Sequence, residues 1–134
     1  EFASMVSRKE GTPFTLGFGY GESGSRAWSR GRRIIIGGWH WKYSNLLYGK
    51  QVLLHEYAHV LAPRDYNSRE AHGPRFQRAE SYLSKKYLNI TPVYTRRNGY
   101  AIELRSPKGN ILCGKFGADY NKEVENEILE GLGV

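Results

Sequence analysis

The chain has 134 residues, 40% of them hydrophobic and 13% aromatic, with a formal net charge of +7 and one cysteine. That composition fits a folded chain with a real core and excludes a disordered one. It also excludes an internal disulfide, and with no membrane-length apolar stretch and no visible secretory signal the expected location is intracellular, cytoplasmic or in a nucleoid or nucleus.

Charge is unevenly spread. From Asp119 onward there are five acidic residues and one lysine, a balance of −4, so the rest of the chain carries +11. A basic body with an acidic C-terminal segment attracts anionic partners, with nucleic acid the first candidate. Charge alone indicates attraction and not specificity.

Residues 1–4, Glu-Phe-Ala-Ser, precede the only methionine, Met5, and look like a cloning remnant. The expected domain is therefore a single one over 5–134. Residues 15–20 are predicted to form a first strand, with Phe14, Leu16 and Phe18 alternating around small residues. Residues 19–31 are rich in Gly and Ser and are expected to be mobile or turn-forming. They hold no P-loop pattern. Residues 33–38 contain Ile34-Ile35-Ile36, a β-branched run suited to a buried strand. That strand is also the candidate edge for an extended substrate. Residues 39–48 are aromatic and ambiguous, and His40, between Trp39 and Trp41, belongs to no ligand spacing.

Residues 50–61 are predicted to be helical, ended by Ala62-Pro63 because the residue before proline is pushed out of the helical region. A polar loop follows, then a second helix at 74–88 with Pro74 at an allowed first-turn position. Its Phe76, Ala79, Leu83 and Tyr87 recur at helical spacing and should face the first helix. Asn98-Gly99, flanked by 92–97 and 100–105, predicts a hairpin whose two-residue turn sets the register. A second turn at 106–110 leads to a third strand at 111–116. Val93, Ile102, Leu104 and Ile111 are expected to make an apolar face against a helix. Asp119 or Asn121 can cap a final helix ending near Leu129. The fold class is thus α+β: a small N-terminal sheet, two helices, a β-meander at 91–118 and a terminal helix at 119–131.

The first helix carries the chemistry. His55, Glu56 and His59 spell His-Glu-Tyr-Ala-His inside an apolar run. Positions i and i+4 share a helix face, so the two imidazoles can point at one metal ion. Glu56 follows the first ligand, where it can reach a metal-bound water without binding the metal. A catalytic zinc site takes three protein ligands and leaves a fourth position open. Three patterns compete for the third ligand. His72 needs no departure from the loop-and-return geometry. Asp65 has metzincin spacing, but Ala62 stands where that pattern needs glycine and no methionine lies downstream. Glu80 lies near, but not on, a thermolysin-like spacing.

The stretch Arg69-Glu70-Ala71-His72-Gly73-Pro74-Arg75-Phe76 following His-Glu-x-x-His resembles the SprT-like (Spartan-type) metallopeptidase family, best over residues 50–88 and more weakly over 14–49. The resemblance implies a zincin-like peptidase fold with a catalytic part at 14–88, one Zn²⁺ per chain held by His55, His59 and His72, and Glu56 as catalyst. Many members of that family carry a C-terminal zinc ribbon with four cysteines. This chain has only Cys113 there.

The expected reaction is peptide hydrolysis of a protein or peptide substrate, with Glu56 taking the proton of a zinc-activated water and passing it to the leaving amine. Tyr66, Arg75 and Tyr94 are the candidates for a second donor to the oxyanion. Two rivals stand beside it. One is a nucleic-acid-binding module with a structural metal, using Arg96, Arg97, Arg105, Lys108 and Lys115 interleaved with Tyr94 and Tyr100. The other is a metal-dependent hydrolase of a non-peptide substrate.

Overall fold

The computed structural model describes residues 2–19, 25–28, 32–37, 46–63, 72–95 and 102–133. The architecture is α+β, and the chain divides into two compact units, Glu1–Ala71 and His72–Val134. No helix among the described residues is long and apolar enough to cross a membrane.

The first unit opens with helix α1, Phe2–Glu10, which buries Val6. Three of the four residues set aside as a remnant are therefore helical. Gly11 ends α1 at φ +72°, and its N–H donates to the Ser7 carbonyl at 3.1 Å. A left-handed terminus of this kind suits glycine, which has no Cβ to clash.

Strands β1 (Thr15–Gly19), β2 (Arg26–Trp28) and β3 (Arg33–Gly37) form one sheet in the order β1-β3-β2. β1 runs parallel to β3, pairing Thr15 with Arg33 and Gly19 with Gly37, while β2 is antiparallel, pairing Arg26 with Ile35. Two expectations change here. The Gly/Ser-rich stretch contains a strand, β2, too short to show an alternating pattern. And β3, expected to offer an edge, has a hydrogen-bonded neighbour on each side, so its backbone is already committed. Ile34 and Ile36 are buried, as the β-branched run implied.

Helix α2, Leu46–Leu61, starts a turn earlier than expected and packs on β2 and β3. It is buried on nearly every side: Leu47, Tyr48, Val52, Leu53, Leu54, Tyr57, Ala58 and Val60 are all in the core. Tyr57 ties it to the segment before β1, donating to the Thr12 carbonyl at 2.7 Å with its ring 4.8 Å from that of Phe14. A helix buried over most of its surface leaves few solvated positions, so a buried polar group such as Gln51 or Glu56 must find a partner inside.

The second unit begins with helix α3, Pro74–Leu88. Gly73 is its N-cap and Asn89, at φ 56°, its left-handed C-cap. Phe76, Leu83 and Tyr87 are buried as the helical spacing predicted, with Ala79 half-buried. The same face also buries Glu80, Ser84 and Leu88.

Strands β4 (Thr91–Tyr94), β5 (Ile102–Arg105) and β6 (Ile111–Gly114) form the antiparallel meander. Asn98-Gly99 lies outside the described residues, but the register on either side does not follow from it. A regular two-residue turn there would set Tyr94 opposite Glu103, whereas Tyr94 pairs with Ile102 and Pro92 with Leu104. Burial explains the difference. Ile102 and Leu104 are 8% and 3% exposed. A one-residue slip would turn both toward the other face, at about 1.5–3 kcal/mol each, while a single cross-strand pair offers about 0.2–1 kcal/mol. The expected apolar face is also revised. Val93 pairs with Glu103 and is only half-buried, and Ile111 is 43% exposed. A register shift between Leu104 and Arg105 brings in Leu112 and Cys113 instead, both fully buried.

A 3-10 turn, Lys115–Gly117, leads to helix α4, Lys122–Gly131. The Asn121 side chain caps α4, accepting from the N–H groups of Glu123 at 3.0 Å and Val124 at 3.3 Å. Val124 and Ile128 are its buried residues. At its other end α4 meets α3: a Cβ on Gly131 would stand 2.1 Å from Asn89 Nδ2, so any side chain there would displace the Asn89 amide.

Candidate metal centre

His55, Glu56 and His59 lie in the second half of α2. The two imidazoles are half-buried, one turn apart, with ring centroids 5.1 Å apart and planes at 83°. The helical pitch sets this proximity directly. Glu56 is buried, 7% exposed, with Oε2 3.9 Å from His55 Nε2, beyond hydrogen-bond length.

His72 opens the second unit, one residue before the Gly73 cap. It is half-buried, and its ring stands edge-on to Phe76 with centroids 4.8 Å apart and planes at 78°. Its carbonyl accepts a 2.9 Å hydrogen bond from Gln77 Nε2.

One nitrogen from each of His55, His59 and His72 lies within 4.8 Å of the other two. Tetrahedral ligands at about 2.0–2.1 Å from zinc stand roughly 3.4 Å apart, so an ion would draw these nitrogens together by about 1.4 Å at most. Neutral imidazoles suit zinc, copper, iron and nickel alike. Three of them plus a nearby carboxylate therefore fit a divalent transition metal, and the group could hold a metal ion. Among the described residues no other group of three His, Cys, Asp or Glu side chains gathers in this way.

The other ligand candidates fall differently. Asp65, Tyr66 and His40 lie outside the described residues. Glu80 is 1% exposed on α3, outside the histidine group. Its Oε1 accepts a 2.8 Å hydrogen bond from the Tyr94 hydroxyl, which is also 3.3 Å from the Gln77 carbonyl. Burial, the neighbouring Glu80 charge and this hydrogen bond raise the Tyr94 pKa well above the usual phenol range. The Tyr94 proton is thus committed to Glu80. Arg75 sits exposed in the first turn of α3.

Of the basic set, Arg96 and Arg97 lie outside the described residues. Arg105 pairs with Glu103 across Nε at 3.1 Å and Nη2, and donates from Nη1 to the Gly109 carbonyl at 2.9 Å. Lys108 is exposed in the turn after β5, and Lys115 holds its ammonium 5.1 Å from the Phe116 ring centroid.

Gln77 and the Glu80–Tyr94 pair were not singled out from the sequence. A signal for Gln77 was present: Gly73-Pro74 marks a helix start, which places Gln77 at the fourth helical position, where side chains commonly meet the residue before the cap. No such cue exists for Glu80 and Tyr94, which are brought together from different elements. Comparison with protein-family models, with curated proteins and with solved structures finds no match.

Proposed function

We propose that the chain is a zinc-dependent peptidase of the SprT-like kind, with one metal ion held by His55, His59 and His72. The observation that carries this reading is the gathering of those three imidazoles, nitrogens within 4.8 Å, beside a carboxylate one residue past the first of them. The resemblance of His72-Gly73-Pro74-Arg75-Phe76 to that family supports it.

A zinc ion bound there supplies Lewis acidity, polarising a carbonyl and acidifying water at neutral pH. The chain's own residues do the rest. His55 and His59 supply two nitrogens from one rigid helix turn, and His72 supplies the third. Glu56 is kept off the ligand set by its position on the helix. Its carboxylate accepts a proton from the attacking water and delivers it to the departing amine nitrogen. The apolar surround of α2 limits water around the carboxylate. For an extended substrate, β2 takes the edge role first assigned to β3, since β2 is the outer strand that packs on α2.

The test is metal content and peptide hydrolysis of the purified full chain, before and after chelation. Zinc near one equivalent, activity lost on chelation and restored by zinc, and both lost in His72→Ala are expected. A metal-free protein that cleaves peptides, or a His72→Ala protein with native zinc affinity, overturns the reading.

A second reading, that the protein also binds nucleic acid, has one observation in its favour. The exposed face of α3 carries Arg75, Arg78, Lys85 and Lys86, and its one carboxylate, Glu80, is buried. Together with Lys108 and Lys115 these cations could follow a phosphate backbone and direct the peptidase to nucleic-acid-associated proteins. Binding should weaken steeply with added salt, and no binding to DNA or RNA at low salt removes this reading.

A further inference from the structure

We propose that Gln77 is the positioning residue of the third ligand: its side-chain amide grips the backbone of His72 and presents the imidazole in place for a metal. This inference rests on the zinc reading above and adds a residue that the ligand pattern does not contain.

His72 sits outside the helix, on a segment that must be held if it is to contribute a ligand. The cap after it offers no help from a side chain, because Gly73 has none, and its backbone is extended at φ −77° and ψ −171°. The grip comes from the first turn of α3. Gln77 Nε2 donates to the His72 carbonyl at 2.9 Å, and Gln77 N–H donates to the Gly73 carbonyl at 2.9 Å. One residue thus holds two successive carbonyls. Pro74, with its preset φ, begins the helix at the phase that makes this reach available. Phe76, 2% exposed, braces the His72 ring from its other contact at 4.8 Å between centroids.

The turn that does the gripping is itself anchored. The Tyr94 hydroxyl from β4 lies 2.8 Å from Glu80 Oε1 and 3.3 Å from the Gln77 carbonyl. The meander, which contributes no residue to the histidine group, thereby supports the helix turn that presents its third member. A ligand held this way loses less freedom when the ion binds, and that saving appears as affinity. Hydrogen-bonding partners that orient metal ligands typically change affinity about 10–100-fold when removed.

The experiment uses the full chain as wild type, Gln77→Met and His59→Ala. Methionine keeps the length of the side chain and removes its N–H donor. Zinc affinity is measured by competition with a chromophoric chelator, alongside the melting of the metal-free protein and the visible spectrum of the cobalt(II) form. The expected result for Gln77→Met is a zinc affinity about tenfold weaker or more, shifted cobalt bands, and unchanged metal-free melting. Native zinc affinity in Gln77→Met, with His59→Ala losing the metal, overturns the clamp and leaves the metal site standing. A weakening matched by an equal loss of metal-free stability also overturns it, since the residue then serves only the fold. Should wild type take up no zinc, or His59→Ala bind it as well as wild type, the metal reading fails and the clamp falls with it.

Discussion

Glu56 and Glu80 are two glutamates on successive helices, 7% and 1% exposed, and they are treated oppositely. Glu80 is matched within its own unit by the Tyr94 phenol at 2.8 Å. Glu56 stands beside imidazoles that are themselves gathered with a third, and its carboxylate is 3.9 Å from the nearer ring nitrogen. Burial of a carboxylate is costly in either place. In one the cost is offset by a phenol donor brought in from β4. In the other, the neighbours belong to a histidine group that could hold a metal ion. Equal burial of the same residue type therefore says little about role; the identity of the partner does.

The same substitution at both positions tests that contrast most directly. Glu56→Gln should retain zinc and lower peptide hydrolysis by about 10²–10⁴-fold, because an amide cannot accept the water's proton. Glu80→Gln should leave hydrolysis unchanged and thermal stability equal or higher, since it keeps an acceptor for Tyr94 and removes a buried charge. Activity assays and melting curves on the pair decide it. Loss of activity in both, or in neither, breaks the distinction.

A smaller effect is expected from the partner side. Tyr94→Phe takes the phenol donor from a buried carboxylate, which costs about 1–3 kcal/mol and should lower Tm by several degrees. Denaturant titration reads it. A variant as stable as wild type would show that Glu80 is satisfied without Tyr94.

The smallest effect concerns a buried group of the meander, the Cys113 thiol. Burial pushes the Cys113 thiol up to about 12 from 9.0. Between those values the unfolded chain has lost the thiol proton and the folded chain keeps it. Cys113 thus contributes stability that is complete below about pH 9 and declines as pH rises toward 12. Tyr94, raised in the same sense, adds to the decline once pH passes about 10, the ordinary phenol value. Unfolding free energies at several pH values from 8 to 11 should fall less steeply in Cys113→Ala than in wild type. Identical slopes would exclude the thiol as a contributor.

The sheets show where sequence patterns stop being informative. β3 was legible because a run of three isoleucines favours a strand, of which Ile34 and Ile36 are buried, yet its place in the sheet was not. Whether a strand is central or at an edge depends on what pairs with it, and β2, three residues in a Gly/Ser-rich stretch, has no pattern of its own. In the meander, the strands were placed well and their register was not. The burial of Ile102, Leu104 and Cys113 outweighs the turn preference, and a register shift beside Leu104 moves Ile111 to the outside. Local rules predict what a segment favours; only packing states which face is worth burying.

Helices α2, α3 and α4 were legible to within about a turn, because a periodic apolar stripe, the Gly73-Pro74 start and the Asn89 and Asn121 caps are all local signals, whereas α1 was not read from the sequence. The pairing of His55 with His59, and the offset of Glu56, follow from helix geometry and were determined by the sequence itself. The arrival of His72 at the same place was an expectation that spacing could permit but not produce. Its carbonyl held by Gln77 and its ring against Phe76 are local contacts at the start of α3, whereas the pairing of Glu80 with Tyr94 from β4 is an outcome of tertiary structure. The reason is physical. A helix repeats itself every 3.6 residues whatever lies around it, whereas a residue on a connecting segment takes its position from the groups that happen to hold it.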